Sequence, residues 1–60
     1  MTDQPPSALW AQAFASTYLE LSGGEGDEHA LLDWAYDLYP AAGQRPAAEV
    51  AREEFERAKG

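Results

Sequence analysis

His29, Asp33 and Asp37 follow one another at intervals of four residues, so on a helix they line one face with each side chain a turn from the next. A histidine with a carboxylate one turn on has the spacing to chelate a divalent cation or to orient an imidazole as a general base. The rest of the chain completes neither chemistry. Zinc sites draw on about three or four protein ligands, and the sequence holds one histidine and no cysteine. A catalytic pair would also need a nucleophile and a convergent pocket, for which so small a core leaves little room. The face is read as solvated and acidic, and no metal, no cofactor and no enzymatic activity are expected.

Tyr36 falls on the same side as these three. An exposed ring among carboxylates suits the capture of a basic partner by aromatic contact and charge together. The bland alternative is a tyrosine at a core edge, with its ring buried and its hydroxyl wet. The glycine-rich run Ser22-Gly23-Gly24-Glu25-Gly26 invites a phosphate-loop reading. That reading needs a preceding strand and a nearby lysine. Here a helical pattern precedes the run and Glu25 is its one charged member, so the glycines are assigned to a turn between helices.

The elements that would position these residues are three amphipathic segments. The first, about 7–22, repeats Trp10, Phe14, Thr17, Tyr18 and Leu21 at helical spacing, with Ser7 as a candidate cap. On its far side Leu19 joins Ala8, Ala11 and Ala15 in a shallow apolar seam. That seam is either ordinary surface or a groove for a dimer partner or another protein's helix. The second segment, about 27–39, opens on Asp27 as N-cap, carries Leu31, Leu32, Trp34, Ala35, Leu38 and Tyr39, and is expected to stop at Pro40. Its apolar width marks it as the central helix. The third, about 46–59, starts at Pro46 and presents the narrower stripe Ala47, Val50, Ala51, Phe55 and Ala58. Its outer face suggests ion pairs between Glu53 and Arg57 and between Arg52 and Glu56. The expected fold is all-α, a compact three-helix bundle in one domain, with 1–6 a loose tail. Trp10, Phe14, Trp34 and Phe55 are its expected core.

A chain of 60 residues without cysteine has no disulfide to staple it. It buries only about 60% of the surface its unfolded form exposes. Its 45% hydrophobic content nonetheless belongs to a folded chain. The charge is lopsided. Of the 11 acidic residues, Asp3, Glu20, Glu25, Asp27, Glu28, Asp33 and Asp37 precede the first base, Arg45, and from there on the four bases balance the other four acids. Phosphate recognition needs the opposite sign, so neither nucleic acid nor an anionic membrane surface is an expected partner. No apolar run approaches the ~20 residues of a membrane span. Met1-Thr2-Asp3-Gln4-Pro5-Pro6 lacks the basic and apolar regions of a signal peptide, so a cytoplasmic location is expected.

The function expected from this sequence is a small acidic protein-interaction module. It binds a basic protein through its first two helices, with Leu19, His29, Asp33, Tyr36 and Asp37 at the contact. One alternative is a helix-turn-helix nucleic-acid binder with Gln44, Arg45 and Arg52 near the groove, against which Glu49, Glu53, Glu54 and Glu56 would repel phosphate. Another is a homodimer that buries Leu19 and its neighbouring alanines.

Overall fold

The computed structural model describes residues 6–59, so most of the expected N-terminal tail, 1–5, lies outside the described residues. The described residues form three helices and no strand: α1 (Ser7–Leu21), α2 (Glu28–Ala42) and α3 (Ala47–Lys59). The chain is an all-α three-helix bundle. Its radius of gyration of 10.8 Å matches the roughly 10.4 Å of a compact domain this long.

The helix on which the other two depend is α1, not α2 as the sequence suggests. Broad packing joins α1 to α2 and α1 to α3, whereas α2 and α3 barely meet. Trp10, Phe14 and Tyr18 make a row one turn apart on α1, with ring centroids 5.7 and 6.0 Å apart in stacked pairs. Rings from the neighbours meet this row edge-on. Tyr39 meets Trp10 at 5.8 Å, Trp34 meets Phe14 at 5.3 Å and Tyr18 at 5.5 Å, and Phe55 of α3 meets Tyr18 at 5.6 Å. These are the separations and orientations that aromatic quadrupoles favour. The order of the partners also fixes direction. Positions rising along α1 meet positions falling along α2, so α2 runs antiparallel to α1; Trp10 shares a groove with Ala47 and Tyr18 meets Phe55, so α3 runs back parallel to α1.

Beside the ring stripe lies a stripe of alanines. Ala11 and Ala15 are 0% and 1% exposed, so the middle of the expected open seam is filled by the protein's own packing, while Ala8 stays exposed and Leu19 half-buried. Small side chains there let a neighbouring backbone approach closely, which is how one helix holds two partners. The rest of the core comes from Ala35, Ala47, Val50 and Ala51, while Trp34, Leu38 and Tyr39 pack against it half-buried. Phe55 is also half-buried, so Trp10 and Phe14 are the two expected core aromatics that are fully enclosed.

The helix ends follow local chemistry with two departures. Ser7 does not cap α1, because the Trp10 amide donates to the Pro6 carbonyl at 3.0 Å and the helix therefore begins one residue earlier than a Ser7 cap requires. Pro40 does not stop α2, which runs on to Ala42. A proline there removes the bond to the Tyr36 carbonyl, but Tyr36 is 46% exposed and water can take that place. Packing of the Tyr39 ring on Trp10 then holds the preceding residue helical against its local bias. The other ends are as the sequence implies. Gly23 (φ +74°) takes the left-handed position after α1, with its amide donating to Glu20 and that of Gly24 to Leu19, the paired bonds of a Schellman closure. The Asp27 carboxylate accepts from the His29 amide at 3.0 Å.

The connection from α2 to α3 is pinned to α1. The Trp10 indole N–H donates to the Arg45 carbonyl at 2.8 Å across 35 residues of sequence. Gly43 fits beneath it because it has no side chain: a Cβ there would sit 2.7 Å from the Tyr39 carbonyl oxygen and 2.8 Å from the Tyr39 ring.

Two stability measurements test this arrangement. Trp10→Phe keeps most of the ring packing but takes the donor from the Arg45 carbonyl. It should cost about 1–3 kcal/mol, lowering the melting temperature by about 4–8 °C for each kcal/mol. An unchanged melting temperature would show that the indole bond contributes nothing. Gly43→Ala should raise stability by up to about 1 kcal/mol if intrinsic propensity decides, and lower it by about 1–3 kcal/mol if the collision with Tyr39 decides. The distances predict a loss.

Candidate functional site

The acidic face of α2 lies where the sequence places it. His29, Asp33, Tyr36 and Asp37 are all exposed. With Leu31 and Ala35 buried, the helical period turns these positions outward. The three titratable groups do not converge. Residues eight apart on a helix are separated by ~12 Å along its axis, and no cluster of three or more His, Cys, Asp or Glu among the described residues is arranged to hold a metal ion. What the face offers is a flat array of negative charge with one protruding aromatic. Leu19 does not belong to that array. It is half-buried, and its Cδ2, like Cδ1 of Leu31, closes on Gly26 at the α1–α2 turn.

A second feature sits at the other end of α2. Leu9, Trp10 and Ala13 on α1 face Gly43, Pro46 and Ala47 across an open apolar groove of about 340 Å³. Leu9 is 59% exposed, the most exposed large apolar side chain among the described residues. Sequence reasoning missed this site. The signal available was Leu9 with Ala13 one turn on, an apolar pair outside both the ring stripe and the alanine stripe. The opposing wall comes from more than 30 residues away, and only the tertiary fold brings it there.

Arg45 forms the rim of this groove and ties it to α3. Its Nε and Nη2 donate to Glu49 Oε1 at 3.1 and 2.7 Å, and its Nη1 donates to Glu53 Oε1 at 3.0 Å, with a further Nη2 contact to Glu53 Oε2. The guanidinium therefore bridges the first two turns of α3 while its own backbone carbonyl receives Trp10. These hydrogen bonds raise the Arg45 pKa above its ordinary value, and the bond from Arg45 holds the Glu53 carboxyl below its own. The ion pair expected between Glu53 and Arg57 gives way to this fork, and the one expected between Arg52 and Glu56 does not form. Arg57 turns instead to Glu54, at 3.4 Å. The fold carries Arg45 back to the third helix, and a fork that reaches two carboxylates displaces the simpler pairing.

No helix among the described residues is long and apolar enough to cross a membrane. Comparison with protein-family models, curated proteins and solved structures gives no match. The functional reading therefore rests on the geometry of the molecule itself.

The Arg45 fork carries a pH dependence with a definite sign. Glu53 has its carboxyl pKa lowered by folding, from an ordinary value near 4.5. Below that value the unfolded chain binds the extra proton, so this contribution is present above the ordinary carboxylate range and is lost as pH falls through the lowered value. Arg45→Gln should melt at a lower temperature than the parent at neutral pH, and the gap should close on acidification. Because the pair is exposed, added salt should also narrow the gap. Parallel pH-dependent melts that keep a constant gap would show that the fork is not the source.

Proposed function

We propose that the protein is a small, non-catalytic interaction module that recognises a basic protein surface through the acidic exterior of α1 and α2. The observation that carries this reading is the exposure of Tyr36 among His29, Asp33 and Asp37, on a face with no lysine or arginine. A half-exposed ring amid carboxylates provides an anchor with modest ordering cost and a field that favours cationic partners. Leu19 would contribute at the margin, through the part of its side chain left outside the α1–α2 turn. A cytoplasmic location belongs to this same proposal.

The runner-up is nucleic-acid binding through α3, favoured by the four-residue connection 43–46 that separates α2 from α3. Against it, Arg45 is the base best placed in that connection, and its guanidinium is held by Glu49 and Glu53. Phosphate would have to displace two carboxylates to reach it. A homodimer through the alanine seam is less favoured, since Ala11 and Ala15 are buried and only Ala8 and part of Leu19 are left to offer a partner.

Capture from a native lysate at low salt, followed by a salt gradient, should release a basic protein as ionic strength passes the range where the screening length falls below about 10 Å. The purified pair should then lose about fivefold or more in affinity on Tyr36→Ala. Asp33→Asn with Asp37→Asn should reduce the salt dependence. Retention indifferent to salt would overturn the proposal, as would tight low-salt binding to duplex DNA in a gel shift.

A further inference from the structure

The groove at the α1 N-terminal half extends the proposed function to the kind of partner segment that is recognised. We infer that it is an anchor pocket for one bulky apolar side chain presented by a basic peptide segment. This inference rests on the reading of the protein as a binder of basic partners, and four observations support it.

The first is size. A volume of about 340 Å³ lies at the lower end of the ~300–1,000 Å³ typical of ligand sites, which suits a single aromatic or branched aliphatic side chain. The second is surface chemistry. Leu9, Ala13, Pro46 and Ala47 give apolar walls. The Trp10 N–H and the Arg45 carbonyl satisfy each other, so the floor asks for no polar ligand.

The third is charge. Arg45 is the one base on the lining, and Glu49 and Glu53, just outside the lining, both hold its guanidinium, so the charge at this edge is one positive and two negative groups. An acidic peptide or a phosphate would meet a net negative rim with its cation already engaged, whereas flanking lysines or arginines would meet complementary charge. The fourth is exposure. Leu9 is 59% exposed at the mouth, and the Gln44 amide beside it is exposed with no hydrogen bond among the described residues, so it is free to take a partner's backbone. Position agrees with this: Asp37 lies only six residues before Gly43, ~9 Å of helix rise, so the acidic face and the groove are within reach of one short segment.

The test uses a 12-residue lysine-rich peptide with one central phenylalanine and its twin with alanine in that place. Both are titrated at low salt into the ¹⁵N-labelled full chain, with the Trp10 indole resonance as the local reporter. The phenylalanine peptide should shift the Trp10 signal and bind about tenfold tighter or more than its twin. Ala13→Gln, which fills the groove without changing charge at an exposed helical position, should bring the two peptides to equal affinity. A thermal melt of that variant checks that it folds as the parent does.

If both peptides bind alike, Ala13→Gln changes nothing and Asp33→Asn with Asp37→Asn weakens both, the anchor pocket is overturned while the basic-partner reading survives. If neither peptide binds at low salt, both fall. If sedimentation shows the chain dimerising and Ala13→Gln abolishes the dimer, the occupant is a second copy and the peptide proposal is overturned.

Discussion

The hydrogen bond from the Trp10 indole to the Arg45 carbonyl is the constraint around which this small domain closes. An indole N–H removed from water without an acceptor would cost roughly as much as a large share of the ~3–9 kcal/mol that a chain of this length can muster. Trp10 is 2% exposed, so its acceptor must be supplied from inside the fold. The acceptor comes from the α2–α3 connection, which fixes the height at which that connection crosses α1. From there the Arg45 side chain reaches forward to Glu49 and Glu53. One residue therefore joins all three helices, with its backbone bound to α1, its chain continuous with α2 and its guanidinium on α3. Because α2 and α3 barely touch, the orientation of α3 depends on this junction and on the packing of Ala47, Val50 and Ala51.

Although Ala11 and Ala15 of α1, which read as outward, are buried, the three helices and the ring stripe of α1 were legible because they follow from periodicity, which is a local property. The identity of the hub was not. α2 reads as central since it gathers Leu31, Leu32, Trp34, Leu38 and Tyr39 into a few turns, and large side chains dominate any count of apolar area. In the structure most of these are half-buried, while Ala11 and Ala15 on α1 are almost wholly enclosed. Alanine adds little to a hydrophobic count, yet it sets how closely two helices can approach. Packing geometry selects the hub, and the sequence exposes that geometry only through residues that look unremarkable one by one. Pro40 teaches a related point. Its bias against helix at Tyr39 is real, but the aromatic contact to Trp10 acts on the same residue and prevails.

The candidate site divides along the same line. The face carrying His29, Asp33, Tyr36 and Asp37 was visible in advance because all four lie on one helix. The groove under Leu9 was hidden because its two walls are far apart in the chain. Arg45 shows how a residue can change meaning when the fold is known. Read alone it is a candidate phosphate contact near a turn, whereas in the structure its donors are engaged by two carboxylates.

A net charge of −7 is not by itself a sign of a binding partner, since magnitudes of about 2–8 are what keep small domains soluble. The distribution is the more telling property. On and just before α3 most charges meet a partner: Arg45 with Glu49 and Glu53, Arg57 with Glu54, and Lys59 over the Phe55 ring at 6.0 Å, while Arg52 and Glu56 form no ion pair with any described residue. Such contacts cancel part of the charge within a few ångströms and leave the Arg45 fork one negative charge in excess. On α1, α2 and the turn between them, Glu20, Glu25, Asp27, Glu28, Asp33 and Asp37 form no ion pair with any described residue. Their fields add, and at physiological ionic strength they extend about 8 Å into solvent. The molecule thus has one side where most of the charge is engaged within the fold, with a net negative fork at Arg45, and one side where charge is directed outward. The two large apolar groups left most exposed, Tyr36 and Leu9, sit respectively within that outward field and beside the acidic rim of the groove. On the proposed function, apolar surface beside unpaired negative charge would favour a partner that is both cationic and partly apolar over a strongly anionic polymer.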